Sequence, residues 1–211
     1  MNSNPSEVVQ DAGIVYIVDD DASVGEALAD LLGAAGLEAR LFSSAQDFLQ
    51  STRPDVPSCL VLDVRMPGMT GLDLQRQLIA LDLTLPTIFI TAHGDVQTSV
   101  RAMKAGAIEF LIKPFGDQDL LDAVRAGLAK DSSDRREAST IAALRERYAS
   151  LDAREKEILT GLVSGLLNKQ VAGELGISEI TVKVRRGQIM KKMQADSFAD
   201  LVRMMETLRR T

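Results

Sequence analysis

Polar side chains that could act together in phosphoryl chemistry stand at the ends of four apolar segments within residues 1–130 of the chain. In chain order they are Asp19 and Asp20, Asp63, Thr91 and Lys113. Carboxylates that crowd together repel one another and raise one another's pKa unless a cation lies among them. Mg2+ is a suitable cation, because it prefers oxygen ligands and keeps several bound waters. The residue types therefore favour a site for Mg2+, with Mn2+ as an alternative ion.

A lysine and a hydroxyl group beside such an ion are suited to hold a phosphoryl group. Lys113 supplies a mobile positive charge, and Thr91 supplies a hydroxyl donor for the remaining phosphoryl oxygens. Sites of this kind transfer phosphoryl groups by positioning the reactants and neutralising their charge. Two neighbouring residues have another interpretation. Asp21 precedes a predicted helix and is expected to cap it, and His93, with no recognisable triad nearby, is expected to be a loop residue.

Strands and helices that could bring these residues together alternate along the first part of the chain. Short, nearly continuous apolar runs are typical of parallel strands that crossover helices cover on both faces. The pattern predicts strands over 14–19, 38–42, 58–63, 86–90 and 108–112, and helices over Ser23–Ala35, Ala45–Ser51, Gly71–Leu81, Val96–Ala105 and Asp117–Ala129. Functional residues of such doubly wound sheets gather at the carboxyl ends of the strands.

The last third of the chain has a different composition. Residues 131–147 are charged, Ala-rich and free of glycine, which predicts a solvated helical linker. Helical segments without a strand pattern follow at 152–164, 168–175, 179–193 and 197–209.

Residues 1–130 hold 18 acidic and 9 basic side chains, a net charge of −9, whereas residues 131–211 hold 12 acidic and 15 basic side chains, a net charge of +3. This asymmetry hints that the rear part contacts nucleic acid.

A helix-turn-helix pattern lies within this rear part. The segment Leu175–Ser178 contains a glycine turn and a serine that could cap the helix after it. Between Lys183 and Lys192 the chain has five basic side chains and no acidic one, so this helix could neutralise phosphates along its length. A solvated basic face is the alternative, and it is the commoner meaning of a charge run.

Bulk properties exclude several classes of protein. No apolar run approaches the roughly 20 residues that a membrane-spanning helix needs. Residues 1–13 are polar and lack the features of a secretory signal, so we expect a flexible N-terminus and a cytoplasmic protein with no membrane partner. Cys59 is the only cysteine and lies in an apolar run, which favours a place in the core.

The first part of the chain resembles the receiver domain of two-component response regulators. Four segments carry the resemblance, which covers nearly all of residues 14–130: Val18–Asp21, Leu62–Gly71, Ile90–Ala92 and Lys113–Phe115. It implies an α/β flavodoxin-like domain with a doubly wound, five-stranded parallel sheet. Asp63 would be the phosphoacceptor, and Asp19, Asp20, Asp63 and the main-chain carbonyl of Arg65 would bind the metal ion. Thr91 and Lys113 would contact the phosphoryl group, Phe110 would be the switching aromatic, and the Lys113–Pro114 peptide bond would be cis.

The rear part, over about 148–211, resembles a LuxR-type helix-turn-helix domain, an all-α domain of four helices. Three segments carry the resemblance: Leu151–Ile158, Gly165–Ser178 and Thr181–Lys183. It implies a recognition helix over Ser178–Met193, in which Lys183 and Val184 face base edges and Thr181, Arg185, Arg186 and Lys192 contact phosphates. Two positions depart from the family pattern, because Arg185 stands where His is frequent and Gly187 stands at a frequent base-contact position.

Together the two parts resemble the FixJ/NarL class of response regulators, and Ile90–Asp95 with Ala102–Ala107 favours FixJ-like activators. We therefore expect a bacterial transcription regulator, an activator, that a sensor histidine kinase phosphorylates on Asp63. Phosphorylation would promote a homodimer that binds double-stranded promoter DNA, with RNA polymerase as a further partner. The chain would not be an enzyme beyond its own phosphorylation from a phosphodonor and its own dephosphorylation.

Two other function classes stay open at this point. A hydrolase with an aspartyl-phosphate intermediate generally needs an Asp two residues after its nucleophile, and this chain has Arg65 there, which cannot exchange protons at neutral pH. A relay or protein-interaction module without DNA affinity is the third possibility. The basic recognition helix argues against that interpretation.

Overall fold

A computed structural model describes residues 13–210 of the chain. The chain divides into two compact units, and the boundary lies between Arg135 and Arg136. The predicted flexible N-terminus, residues 1–13, lies outside the described residues except for Gly13. The front unit contains β1 (Ile14–Val18), α1 (Ala22–Ala34), β2 (Glu38–Phe42), α2 (Ala45–Gln50), β3 (Ser58–Asp63), α3 (Gly71–Ala80), β4 (Thr87–Thr91), α4 (Val96–Lys104), β5 (Glu109–Ile112) and the first part of α5 (Asp117–Ala149), which continues across the boundary into the rear unit.

The five strands of the front unit form one parallel sheet in the order β2-β1-β3-β4-β5. The predicted doubly wound fold is therefore confirmed. Every residue of β1, β3 and β4 is buried, which explains why these strands are apolar at successive positions rather than at alternate ones. The order places the carboxyl ends of β1, β3, β4 and β5 side by side.

Separate hydrophobic cores cover the two faces of this sheet. One contains Tyr16 and Phe48, whose ring centres lie 5.5 Å apart. The other contains Val61, Val124 and Cys59. Burial raises the pKa of the Cys59 thiol to about 12, so it stays protonated and packs as a small apolar side chain, as predicted.

Helix α5 continues much further than the predicted end at Ala129. It runs without interruption from Asp117 to Ala149 and so includes the whole segment predicted as a separate helical linker. The sequence explains the extension, because no glycine or proline stands in this stretch after Gly127. Ion pairs between residues four apart, Lys130–Asp134 and Arg135–Asp131, also support the helical backbone there.

The rear unit contains, after the end of α5, the helices α6 (Ala153–Val163), α7 (Asn168–Leu175), α8 (Glu179–Met193) and α9 (Phe198–Arg210). Their apolar faces share one core, which includes Leu144 of α5, Ile158, Val182, Ile189 and Leu201. The turn between α7 and α8 uses Gly176 with a φ of +64°, a left-handed conformation that favours glycine. The predicted helical domain is confirmed. Within residues 13–210, no helix is both long enough and apolar enough to cross a membrane.

Candidate functional site

The carboxyl edge of the sheet collects the polar residues that the sequence singles out. Asp63 is the last residue of β3 and pairs in register with Ile90 of β4, while Thr91 ends β4. Asp19 directly follows β1, and Lys113 directly follows β5. Adjacent parallel strands that end together therefore bring residues far apart in the chain to one place.

Lys113 joins two carboxylates at this edge. Its Nζ lies 2.8 Å from Oδ2 of Asp19 and 3.1 Å from Oδ1 of Asp63. Asp19 is 5% exposed and Asp63 is 7% exposed, so both carboxylates are largely removed from water. The peptide bond between Lys113 and Pro114 is cis, as predicted.

Burial and hydrogen bonding act in opposite directions on these groups. Burial raises the pKa of Asp63, and the Arg65 N–H and Lys113 oppose that rise without cancelling it. Burial alone would lower the pKa of Lys113, but its hydrogen bonds to Asp19 and Asp63 raise it above the ordinary value. The lysine is therefore a firmly charged cation beside an Asp63 carboxylate that is less acidic than usual.

The backbone after β3 fixes the second oxygen of Asp63. The N–H of Arg65 donates to Oδ2 of Asp63 over 2.6 Å, while the Arg65 side chain is exposed. Nearby, the N–H of Gly71 donates to the carbonyl oxygen of Val64 over 3.0 Å. A Cβ atom at Gly71 would overlap the carbonyl oxygen of Asp63, so only glycine lets α3 begin this close to β3.

Thr91 and Phe110 occupy the neighbouring part of the edge. Thr91 is 1% exposed, and its Oγ1 accepts the N–H of His93 over 3.2 Å. The side chain of Phe110 is half-buried, and its ring centre lies 6.3 Å from that of Phe89. His93 lies in the exposed loop after β4, as predicted.

The remaining acidic residues at this edge differ from one another. Asp21 is the N-cap of α1 and accepts the backbone N–H groups of Ser23 and Val24, as predicted. Asp20 is exposed. In the part of the chain that the structure describes, no three His, Cys, Asp or Glu side chains converge as a metal cluster. The arrangement that the structure does form is therefore two carboxylates around one lysine.

Helix α8 of the rear unit carries the residues predicted to meet nucleic acid. Ser178 caps it by accepting the N–H of Thr181 over 3.1 Å. Its apolar face is buried through Val182 and Ile189. Thr181, Lys183 and Val184 are exposed, and Val184 keeps 56% of its surface accessible.

The other basic residues predicted as DNA contacts already have protein partners. Nη1 of Arg185 lies 3.0 Å from Oδ2 of Asp152, and Nζ of Lys192 lies 2.7 Å from Oε2 of Glu155. The guanidinium carbon of Arg186 lies 4.4 Å from the centre of the Phe198 ring. The residues predicted to contact DNA therefore form two groups. Thr181, Lys183 and Val184 are exposed, and Arg185, Arg186 and Lys192 contact other side chains of the rear unit.

Two families match the chain, one in each unit. Residues 15–125 match the response regulator receiver domain, and residues 149–205 match the bacterial regulatory proteins of the luxR family. The chain belongs to the response regulators. This response regulator joins a receiver to a LuxR-type DNA-binding domain, and its relatives are transcriptional regulators of two-component systems rather than hydrolases.

Relatives match this response regulator over nearly its whole length. Nodulation protein W of Bradyrhizobium diazoefficiens is 53% identical over 92% of the chain and 86% of that protein. Transcriptional regulatory protein FixJ of Azorhizobium caulinodans is 44% identical over 90% of both proteins. The solved structure of the response regulator StyR is 51% identical and has a TM-score of 0.84, covering 92% of this chain and 98% of that one.

Two features of this response regulator escaped sequence reasoning. The sequence presents Gly71 only as part of a motif, whereas the close approach of its backbone to Asp63 makes it a structural requirement of the site. The sequence presents Asp152 and Glu155 only as part of the LuxR-type segment, whereas their carboxylates pair with two basic residues of α8. A glycine at the predicted start of a helix was the only available signal for the first feature.

Proposed function

We propose that this response regulator accepts a phosphoryl group on Asp63 and that this modification controls binding of its rear domain to promoter DNA. The observation that carries the proposal is the Lys113 bridge between Asp19 and Asp63 at the carboxyl edge of the sheet. A sensor histidine kinase would be the donor. An oxygen of Asp63 would form the new bond to phosphorus while the bond from phosphorus to the kinase histidine breaks.

The donor set at this edge fits a hard divalent ion. Asp19 and Asp63 point oxygen atoms at one shared cation, the Lys113 Nζ, so their charges already face a common point. The carboxylates of Asp19, Asp20 and Asp63 and the main-chain carbonyl of Arg65 would hold Mg2+, or Mn2+ in its place. The bound ion would neutralise phosphoryl oxygens during transfer.

The other residues of the edge would respond to the phosphoryl group. Lys113 would pair with one phosphoryl oxygen, and Thr91 would turn its hydroxyl from the His93 backbone toward another. Phe110 would follow this movement toward the core. The same residues would support self-phosphorylation from a small phosphodonor and later self-dephosphorylation, but no catalytic turnover of other substrates.

Substitution of the proposed acceptor tests this assignment. The full chain and its Asp63→Asn variant are incubated with acetyl phosphate and Mg2+, and the phosphorylated fraction is measured by mass spectrometry. We expect one phosphate on the wild-type protein and none on the variant. Asp82→Asn, at an exposed carboxylate of the same domain, is the matched control and should still be phosphorylated. A phosphate that persists on the Asp63→Asn variant would refute the assignment.

In the rear domain we propose that α8 enters the major groove. The exposed side chains of Lys183 and Val184 would face base edges, and Thr181 and Arg186 would lie beside phosphates.

We place the receiver at residues 14–130, the linker at 131–147 and the DNA-binding domain at 148–211. A homodimer formed on phosphorylation would bind a two-fold site and recruit RNA polymerase as an activator, which places the function in the bacterial cytoplasm.

Loss of the Lys183 side chain tests the place of α8. The Lys183→Ala variant should bind promoter fragments more weakly and with altered base preference, by roughly 1–3 kcal/mol if the contact is to a base edge. Selection of binding sites from a random duplex library compares the two proteins. Unchanged affinity and unchanged sequence preference would argue against Lys183 in the groove.

A further inference from the structure

Helix α6 begins with an acidic pair that contacts helix α8. Asp152 is the N-cap residue of α6, and Glu155 is its third helical residue. The two form a capping box, in which Oδ1 of Asp152 accepts the Glu155 N–H over 2.7 Å and Oε2 of Glu155 accepts the Asp152 N–H over 2.8 Å. One oxygen of each carboxylate is therefore engaged within α6 itself.

Two basic side chains of α8 complete this arrangement. Nη1 of Arg185 donates to Oδ2 of Asp152 over 3.0 Å and lies 3.9 Å from Oε1 of Glu155. Nζ of Lys192 donates to Oε2 of Glu155 over 2.7 Å. These contacts link the start of α6 to two turns of α8 through three of the four carboxylate oxygens, while Oδ1 of Asp152 accepts only the N–H within α6.

The position of these basic residues on α8 agrees with a structural role. Arg185 and Lys192 each lie three residues after a buried residue, Val182 and Ile189 respectively. Residues three apart share a helix face, so both cations border the buried face of α8. Lys183 and Val184 are exposed, and the side chains of Arg185 and Lys192 also keep 37% and 40% of their surface accessible beside the ion pairs that they make.

The two acidic partners differ in burial, because the Asp152 side chain keeps 50% of its surface accessible whereas Glu155 is buried. The Glu155 side chain is 1% exposed, and a buried carboxylate that loses its cation is left uncompensated. Lys192 is the main reason that the pKa of Glu155 lies below its ordinary value. A move of Lys192 or Arg185 toward DNA would therefore have to break pairs that are already formed.

We infer that Arg185, together with Lys192, is a positioning residue that fixes the recognition helix on α6 instead of contacting DNA phosphates. The inference replaces the expectation from the sequence and rests on the proposed DNA binding by α8. Arg185 stands where the family often has His, so this chain has an ion pair to Asp152 that a neutral imidazole would not supply. The remaining cations would then supply the phosphate contacts.

The salt dependence of DNA binding separates the two roles. The dissociation constant of the full chain for a mixed-sequence DNA duplex is measured against salt concentration for the wild type, Arg185→Gln and Lys192→Gln. Loss of a phosphate contact would reduce the slope of log K against log salt by about 0.9. We expect an unchanged slope for both variants. Affinity should fall by about two- to fivefold for Arg185→Gln, as for loss of a partly exposed ion pair, and the unfolding midpoint should fall further for Lys192→Gln, because that change leaves the buried Glu155 carboxylate without its cation.

Substitution of Asp152, the acidic partner of Arg185, should change DNA affinity in opposite directions for the two possible roles of Arg185, positioning of α8 and contact with phosphate. Asp152→Asn keeps a good helix cap but loses the charge. If Arg185 positions α8, Asp152→Asn should weaken DNA binding as Arg185→Gln does, and the double variant should be no worse than either single one. If Arg185 contacts phosphate, Asp152→Asn would release it and strengthen binding, which would overturn the inference, as would a reduced slope.

Two further measurements keep the inference testable. Arg185→Lys retains the positive charge, so its DNA affinity and its unfolding midpoint should lie between those of the wild type and Arg185→Gln. Double-mutant coupling between Asp152→Asn and Arg185→Gln in urea unfolding needs no DNA, and additive effects there would overturn the inference. A wild-type chain that leaves the duplex unbound at low salt would refute the proposed function instead, while the unfolding cycle would still decide the role of Arg185.

Discussion

Asp63 lies where its own charge is unfavourable to folding. Burial raises its pKa, and Asp19 places a second negative charge near it. Because its folded-state pKa lies above the ordinary value of 3.8, the folded protein binds this proton more tightly than the unfolded chain does. The contribution of Asp63 to stability is therefore fully present below that ordinary value and is lost as pH rises through the folded-state pKa.

Asp63→Asn should consequently stabilise the protein at neutral pH. The variant removes a charge that burial disfavours, and its gain should shrink as the wild-type carboxyl becomes protonated. Urea unfolding followed by circular dichroism at about pH 7 and about pH 4 checks this. The control is Asp30→Asn, at an exposed site on α1, which should show no such gain at neutral pH. A lower midpoint for Asp63→Asn at neutral pH would contradict the electrostatic account.

Gly71 gives a second prediction at the scale of one residue. Gly71→Ala would force a Cβ against the carbonyl oxygen of Asp63, so we expect a loss of stability of about 1–3 kcal/mol and slower phosphorylation. The matched control is Gly33→Ala in α1, where nothing lies within 4 Å of the added carbon and alanine favours the helix. Calorimetry measures the stability of both variants. Equal changes in stability would show that the structure shifts to relieve the contact between the added Cβ at position 71 and the Asp63 carbonyl oxygen.

At the scale of the element, helix α5 is anchored to the sheet by the buried carboxylate of Asp131. Oδ2 of Asp131 accepts the Ser58 N–H over 2.8 Å and the Nε of Arg135 over 2.6 Å, and Asp131 is 5% exposed. Arg135 also pairs with Asp55. The helix is thus tied to the start of β3, at the end of the sheet opposite Asp63.

Asp131→Ala should destabilise the receiver by about 1–3 kcal/mol, because it leaves the Ser58 N–H buried without its acceptor. Asp134→Ala is the control on the same helix, because Asp134 pairs with Lys130 four residues away but is exposed. We expect that variant to stay within about 0.5 kcal/mol of the wild type. Urea unfolding measures the stability of both variants. Equal losses of stability would show that the buried hydrogen bond from the Ser58 N–H contributes no more than the exposed ion pair.

The sequence was more informative about elements than about contacts between them. The strands could be predicted because each is a local run of apolar residues. The residues at the carboxyl edge of the sheet could be predicted because each follows or ends such a run. The full length of α5 cannot be predicted from apolar spacing, because its solvated second half lacks a strong apolar period. The pairs from α8 to Asp152 and Glu155 join residues 33 and 37 positions apart, so only the packing of α6 on α8 reveals them.

At the scale of the whole molecule, one helix joins a front unit of net charge −10 (20 acidic and 10 basic side chains in residues 1–135) to a rear unit of net charge +4 (10 acidic and 14 basic side chains in residues 136–211). Helix α5 contributes Val124 to a core of the front unit and Leu144 to the core of the rear unit. Phosphorylation adds roughly two negative charges to the front unit. The continuous helix between the two cores is therefore the element through which we expect the modification to affect DNA binding.

A proline in this helix tests its role as the connection. Ala142 is exposed on α5 between the two cores, and Ala142→Pro should break the helix there at a cost of about 3 kcal/mol to the helical state. Each core keeps its own side chains, so the variant should still accept phosphate on Asp63 and still bind DNA. The difference in DNA affinity between the phosphorylated and unphosphorylated protein should fall. Ala142→Glu keeps the helix and should retain that difference, and a proline variant with the full wild-type response would show that the signal does not need a continuous α5.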